Sequence, residues 1–263
     1  MAFYSSNFIY DGIISSEYGL RISTFGGEEE NFSLANVELI TQSIYRKPKV
    51  FLLGINQTPV LEIPITITVP QELSAEETSV ISRWLFGQMG YKVLQILQPD
   101  MQYIYFNCIF TEPEIIKIGN ITRGFNAVIT CDSPYAWEYS KAITYAYNPN
   151  NFIVFDNIKI NNTSDNPDYT YPTVSFTMNK FGGYLNITNT SDSNRVFRFY
   201  DLLPNEVIEI NNDLQTITSS TGQNRIENFN YYWFRYIPNL NEFIIEGNIT
   251  EIEFTNIFVK KMM

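Results

Sequence analysis

Apolar and polar residues alternate one by one along much of the chain, which is the pattern of half-buried β-strands. The alternation is densest over residues 228–254. There it predicts two strands joined through Pro238 and Asn239, a turn at Gly247 and Asn248, and a further strand in which Ile249, Glu251 and Glu253 alternate with Thr250, Ile252 and Phe254. So many aromatic side chains at strand spacing need a second sheet to bury them, so a closed β-sandwich is expected.

From the N-terminus, Phe8, Ile9, Tyr10, Ile13 and Ile14 flank Asp11 and Gly12, a pair suited to the positive φ angles of a type I′ hairpin turn. Residues 15–22 predict a second short strand, and Gly26, Gly27 and the acidic run Glu28, Glu29, Glu30 then break the pattern as a solvated loop. Residues 37–53 are rich in apolar side chains around a cationic centre of Arg46, Lys47 and Lys49. Residues 60–69 form another strand with Pro64 at an edge or bulge, and residues 54–59 read as the loop between the two. The hairpin so formed, 37–69, is either an ordinary part of the domain or a device for reaching onto a neighbouring subunit.

One helix is signalled. Ser74 and Glu77 have capping-box spacing, Val80, Ile81, Trp84 and Leu85 form one apolar stripe, and Gly87 suits the residue after the helix. Strands return at 91–97, 103–110, 115–118 and 124–131, until Pro134 breaks the pattern. This places a first domain at 1–140, a polar linker at 141–150, and a second domain of short strands separated by Asn, Asp, Gly and Pro turns at 151–263. The fold class is mainly β, with one α-helix in the N-terminal domain and a C-terminal β-sandwich.

Composition narrows the chemistry. With 263 residues, a formal net charge of −11 and a sequence pI near 4.5, the chain lacks the clustered cations needed to wrap nucleic acid, although an acidic surface suits a channel that DNA traverses without adhering. Aromatic residues reach 16% while charged residues stop at 17%, so much aromatic surface must be covered by the fold or by other chains. The absence of histidine removes Ser-His-Asp triads, His metal ligands and His acid–base catalysis. Cys108 and Cys131 are either two buried thiols serving as small apolar residues or, if their strands are adjacent, a disulfide. No secretory signal or membrane span is recognisable, so a soluble protein made in the cytoplasm, without membrane insertion, is expected. The Asn-x-Thr matches at Asn120, Asn186 and Asn248 then reflect an Asn-rich composition rather than glycosylation.

Several segments together resemble the distal tail proteins of bacteriophages with long, non-contractile tails. They are Asp11-Gly12 followed by Ser15, Ser16, Glu17, Tyr18, Gly19, Leu20 and Arg21; the helix carrying Trp84-Leu85; the run from Cys131 through Pro134 to Glu138; and the ending from Ile237 and Pro238 to Gly247 and Ile249. The resemblance spans most of the chain and rests on the order and spacing of these segments. It implies a two-domain subunit: the N-terminal domain forms a homo-hexameric ring continuing the tail tube, and a galectin-like C-terminal sandwich is an attachment point. It further implies tail tube, tail-tip and receptor-binding proteins as partners, a virion location at the tail tip or baseplate, a lumen through which DNA passes, and no catalytic residue, cofactor or metal.

Three sets of residues are candidates for function. Arg46, Lys47 and Lys49 are clustered cations in an acidic chain, suited to meet the acidic surface of an adjacent subunit. Tyr231, Tyr232, Trp233 and Tyr236 offer aromatic faces to sugar rings, the basis of an alternative carbohydrate-binding function, or else pack between sheets. Glu112, Glu114 and Asp132 are the carboxylates that a glycoside hydrolase would need to hold roughly 5–9.5 Å apart.

Overall fold

The computed structural model describes residues 7–23, 37–57 and 60–261; the acidic run Glu28–Glu30 lies outside them. The chain divides into two units, one holding residues up to Glu138 together with those from Lys260, the other spanning Tyr139–Val259.

In the first unit the strands are β1 (Phe8–Tyr10), β2 (Ile13–Ile14), β3 (Arg21–Ile22), β4 (Val37–Ser43), β5 (Val50–Gln57), β6 (Glu62–Leu73), β7 (Lys92–Ile96), β8 (Ile104–Ile118), β9 (Ile121–Cys131) and β10 (Ala136–Glu138), with α1 (Ala75–Phe86) between β6 and β7. The main sheet runs β2-β1-β7-β8-β9-β6-β3, and β10 pairs with β8. Asp11 and Gly12 take φ values of 50° and 78° and close the β1–β2 hairpin as expected. Residues 15–18 form a 3-10 turn instead of the expected strand: Gly19 closes it at φ 67°, donating back to Ser15 and Ser16. Ser15 is buried because its hydroxyl accepts the Phe8 amide at 3.0 Å.

α1 begins at the Ser74–Glu77 capping box, with both reciprocal bonds present, and Gly87 donates to the Arg83 carbonyl at its end. Ile81, Trp84 and Leu85 face the sheet, whereas Val80 lies exposed outside the stripe. Trp84 lies parallel to Phe8 with ring centroids 5.9 Å apart and donates its indole N–H to the Tyr10 carbonyl at 3.1 Å. Strict alternation on β6 and β9 sends Ile63, Ile65, Ile67, Phe125, Ala127 and Ile129 into the same core.

The second unit is an antiparallel sandwich. Its strands are β11 (Lys141–Ala146), β12 (Val154–Asn162), β13 (Thr173–Met178), β14 (Gly183–Asn189), β15 (Arg195–Leu202), β16 (Val207–Asn211), β17 (Thr216–Ser219), β18 (Asn239–Gly247) and β19 (Ile249–Asn256). One sheet is ordered β11-β19-β13-β16-β17, the other β12-β18-β14-β15. Residues 141–146, expected within a linker, instead pair as β11 along β19, because Ile143 and Tyr145 pack against the core. Between the sheets Phe176 meets Phe199 at 5.6 Å and Phe243 meets Phe254 at 6.4 Å.

Gly247 and Asn248 are not a hairpin turn: they carry the chain from one sheet to the other, β18 lying in the four-stranded sheet and β19 in the five-stranded one. Gly247 is required there, since a Cβ would sit 2.5 Å from the Tyr184 carbonyl oxygen. The buried Asn248 side chain accepts the Tyr184 amide at 3.1 Å and donates to the Phe152 carbonyl at 2.6 Å. The core also holds an ion pair. Arg225 grips Glu206 with Nε and Nη2 at 2.7 and 2.8 Å, and Ser219 and the Leu203 amide complete the carboxylate's bonds.

The expected strand over residues 228–237 is absent. Its aromatics are held by asparagine side chains rather than by a ladder: buried Asn212 accepts the Phe234 amide at 2.8 Å, while Asn230 bridges to β15, donating to Val196 and accepting from the Arg198 amide.

Candidate interaction surfaces

β4 and β5 pair only with each other among the described residues, as a two-stranded ribbon. The residues 54–57, expected as loop, are the second half of β5, so the hairpin is 37–57 with its tip at residues 44–49. Arg46 turns the tip at φ 68°, and the Lys47 amide donates to the Ile44 carbonyl. Cross-strand pairs Leu39–Ile55, Thr41–Leu52 and Ser43–Val50 place Leu39, Ile55, Leu52 and Val50 on one face; Ile40–Gly54 and Gln42–Phe51 place Ile40 and Phe51 on the other. All of these apolar side chains are exposed, with Leu53 at 64% and Tyr45 at 86%. An isolated two-stranded ribbon is marginal in water, and one apolar on both faces presents surface that stable folds cover.

Arg46, Lys47 and Lys49 are all exposed at the tip, and no carboxylate pairs with them among the described residues. The Arg46 guanidinium lies over the Tyr45 ring at 5.2 Å, a contact available to it without leaving solvent. Pattern reading pointed to the cations but missed Leu39, Leu52, Leu53 and Ile55, because a continuous apolar run such as residues 50–53 reads equally well as a strand buried on both faces. The signal available was the cationic, Pro-containing break midway through it.

The four candidate aromatics do not form one platform. Tyr236 is fully buried, packing edge-on to Phe234 at 5.5 Å, which corrects the expectation that it faces a ligand. Trp233 is half-buried, its ring 4.8 Å from that of Phe229. Tyr231 and Tyr232 are exposed, and Tyr232 borders a cleft, beside Arg195. Their surroundings, not their spacing, decide this: the backbone between them follows asparagine side chains, so parity along the chain no longer sorts inward from outward.

The carboxylates proposed for glycoside hydrolysis do not gather around Asp132. Asp132 bonds to Asn107 and to the Trp137 indole, while Glu112 and Glu114 lie on the β8 bulge, about 15–25 Å along the strand from Asn107 at 3.4 Å per residue. Neither pairing with Asp132 has the span that such chemistry requires. Cys108 and Cys131 face each other on β8 and β9 as buried free thiols. Burial, reinforced by the nearby Asp132 charge, pushes the Cys131 thiol up to about 12 and holds that of Cys108 well above its ordinary value, so neither is a ready nucleophile. No group of His, Cys, Asp or Glu among the described residues is arranged to hold a metal ion, and no helix there is long and apolar enough to cross a membrane.

Comparison with known proteins gives this geometry its context. A family model described as a phage tail protein N-terminal domain matches residues 3–133, and one described as a phage tail C-terminal domain matches residues 135–256. The fold is similar to the crystal structure of the Dit (gp 19.1) protein of phage SPP1, which is described as a paradigm of the hub adsorption apparatus in phages infecting Gram-positive bacteria. The TM-score is 0.70 at 12% identity, covering 97% of this chain and 100% of that one. A chain of the phage p2 baseplate, in its activated conformation with Sr, aligns with a TM-score of 0.49 at 12% identity, covering 98% of each. No curated protein matches the sequence.

Proposed function

The chain belongs to the phage tail protein family, and from that premise we propose that it is a structural ring subunit at the distal end of a tail. Six copies close into the ring, which joins the tail tube to the baseplate or tail tip. The first unit supplies the subunit contacts, and the sandwich serves as the attachment point for receptor-binding and tail-tip proteins. DNA crosses the lumen without specific binding, in keeping with the net charge of −11. The protein performs no catalysis.

The observation that carries this reading is the β4–β5 ribbon, apolar and exposed on both faces. A neighbouring copy is the occupant that a repeating structure supplies: a head-to-tail contact of modest area, repeated around a closed cycle, covers every ribbon. The tip cations Arg46, Lys47 and Lys49 would then meet acidic surface on that neighbour, plentiful in so acidic a chain. The fold similarity to the hub protein of phage SPP1 supports the same reading.

The mass of the purified protein in solution tests it. A particle of about 180 kDa, six times the chain's 30.5 kDa, or a doubled ring of twice that mass, is the expected result. A single-copy species persisting at high concentration would overturn it.

A further inference from the structure

In the sandwich, the turn between β14 and β15 and the segment after Asn230 enclose an open cleft of about 630 Å³, within the usual range for small-ligand sites. Three guanidiniums, from Arg195, Arg198 and Arg235, line it against one carboxylate, Asp192. Arg235 is committed to the scaffold: it pairs with Asp192 through Nε and Nη2 at 2.8 and 3.2 Å and lies 3.6 Å over the Tyr169 ring.

The other two cations have no ion-pair partner among the described residues. Arg198 spends Nε on the Asn186 side chain at 2.8 Å and carries no ion pair among the described residues, which leaves its terminal nitrogens for another acceptor. Arg195 stacks over Tyr232 at 4.7 Å, reaches the Trp233 carbonyl at 3.4 Å, and has a buried Nε–H with no acceptor. A buried donor left without a partner is costly, and positive charge concentrated in a chain of net charge −11 is a local exception that folding alone does not call for.

The surroundings narrow what would meet these cations. β15 is an edge strand, but Asn230 caps it, donating to the Val196 carbonyl and accepting the Arg198 amide, so a peptide cannot add there as a further strand. Val196 is the only aliphatic residue in the lining, which leaves no apolar pocket for a peptide anchor. The remaining surface consists of hydroxyl and amide groups beside the half-exposed Tyr232 ring, partners suited to a hydroxyl-rich ring molecule.

We propose that this cleft binds an anionic saccharide, with Arg195 and Arg198 holding its carboxylate or phosphate oxygens and Tyr232 flanking the sugar. The site would be a second recognition surface on the subunit, independent of ring closure through β4–β5. Pattern reading named Tyr232 alone of this group, because Tyr169, Asp192, Arg195 and Arg235 come from three separate loops and strand ends.

Titration calorimetry on the full chain with four probes tests this: trigalacturonic acid, glucose 6-phosphate, neutral maltotriose and a tetraglutamate peptide. The expected result is binding of at least one anionic sugar that weakens with added salt and falls by about tenfold in Arg198→Gln, whose side chain lies outside the core. Arg195→Gln combined with Arg198→Gln should abolish it. The tighter of the two anionic sugars identifies the oxyanion. Silence from both, affinity unchanged in Arg198→Gln, or equal binding of maltotriose would overturn the proposal. Binding of tetraglutamate instead of the sugars would replace it with an acidic-peptide site.

Discussion

The sandwich core and the β4–β5 ribbon treat apolar residues in opposite ways. The core of the sandwich gathers one set of aromatics, where Phe197, Phe199, Phe229, Phe234, Phe243 and Phe254 pack in continuous contact, and satisfies the polar groups beside them with asparagine bonds and the Glu206–Arg225 pair. The first unit builds its own core around Trp84, yet leaves the β4–β5 ribbon outside it, open on both faces. The sandwich is stable through what it contains; in the proposed ring, the ribbon would become stable through what it joins.

The sharpest way to break this contrast is to charge the ribbon. Leu52→Asp with Leu53→Asp should dissociate the proposed ring completely, since each subunit contact would bury unpaired carboxylates at several kcal/mol apiece, while leaving the helix and main sheet intact. Light scattering for mass and far-ultraviolet dichroism for fold read the two effects separately. An unchanged particle mass would show that the ribbon is not the contact.

The reverse experiment attacks the sandwich. Arg225→Met leaves Glu206 buried without its partner and should cost the second unit about 3–5 kcal/mol in urea unfolding, with subunit association intact. The unaltered pair also sets a pH dependence. Burial pushes the Glu206 carboxyl up, but its bonds to Arg225, Ser219 and the Leu203 amide outweigh that and hold it below the ordinary value. The pair's contribution is therefore full above the unfolded carboxylate pKa of about 4.3, and it is lost as pH falls through the lower folded value. Melting curves taken from neutral pH downward should show that loss, and Arg225→Met should remove this component of it.

A smaller effect is expected at the crossover between the sheets. Gly247→Ala forces a methyl against the Tyr184 carbonyl and the Leu185 Cα and should destabilise the sandwich by about 1–3 kcal/mol, again with no change in particle mass. Smallest of all, replacing Arg46, Lys47 and Lys49 together by alanine should weaken the proposed ring by about 1 kcal/mol or less per contact and only at low salt, as exposed pairs do. Concentration-dependent mass measurements at two ionic strengths resolve it.

Much of the fold could be read from residues alone where a local signal has one physical meaning. The Ser74–Glu77 box fixes a helix start, Asp11-Gly12 fixes a hairpin, and alternation through β6, β9, β18 and β19 sorts inside from outside. Residues 228–237 are as rich in aromatics and are not a strand. Composition does not report where the backbone amides find partners, and here Asn212 and Asn230 take the place of a neighbouring strand. The cation tip was visible as charge against an acidic background. The apolar ribbon beside it was not, since exposure depends on the absence of anything above it, which no pattern encodes. The arginine cleft was hidden for a related reason: its members meet only after two sheets have folded.

The passage of the chain through Gly247 and Asn248 has a mechanical consequence for anything hung on the sandwich. Because one continuous segment belongs to both sheets, and Asn248 pins that segment to β14 and to the Phe152 carbonyl, a pull on either sheet is shared by both ladders at once. Peeling one layer from the other would first have to rupture that junction, so a cargo tugging on this subunit meets resistance from the whole sandwich rather than from its outermost strand.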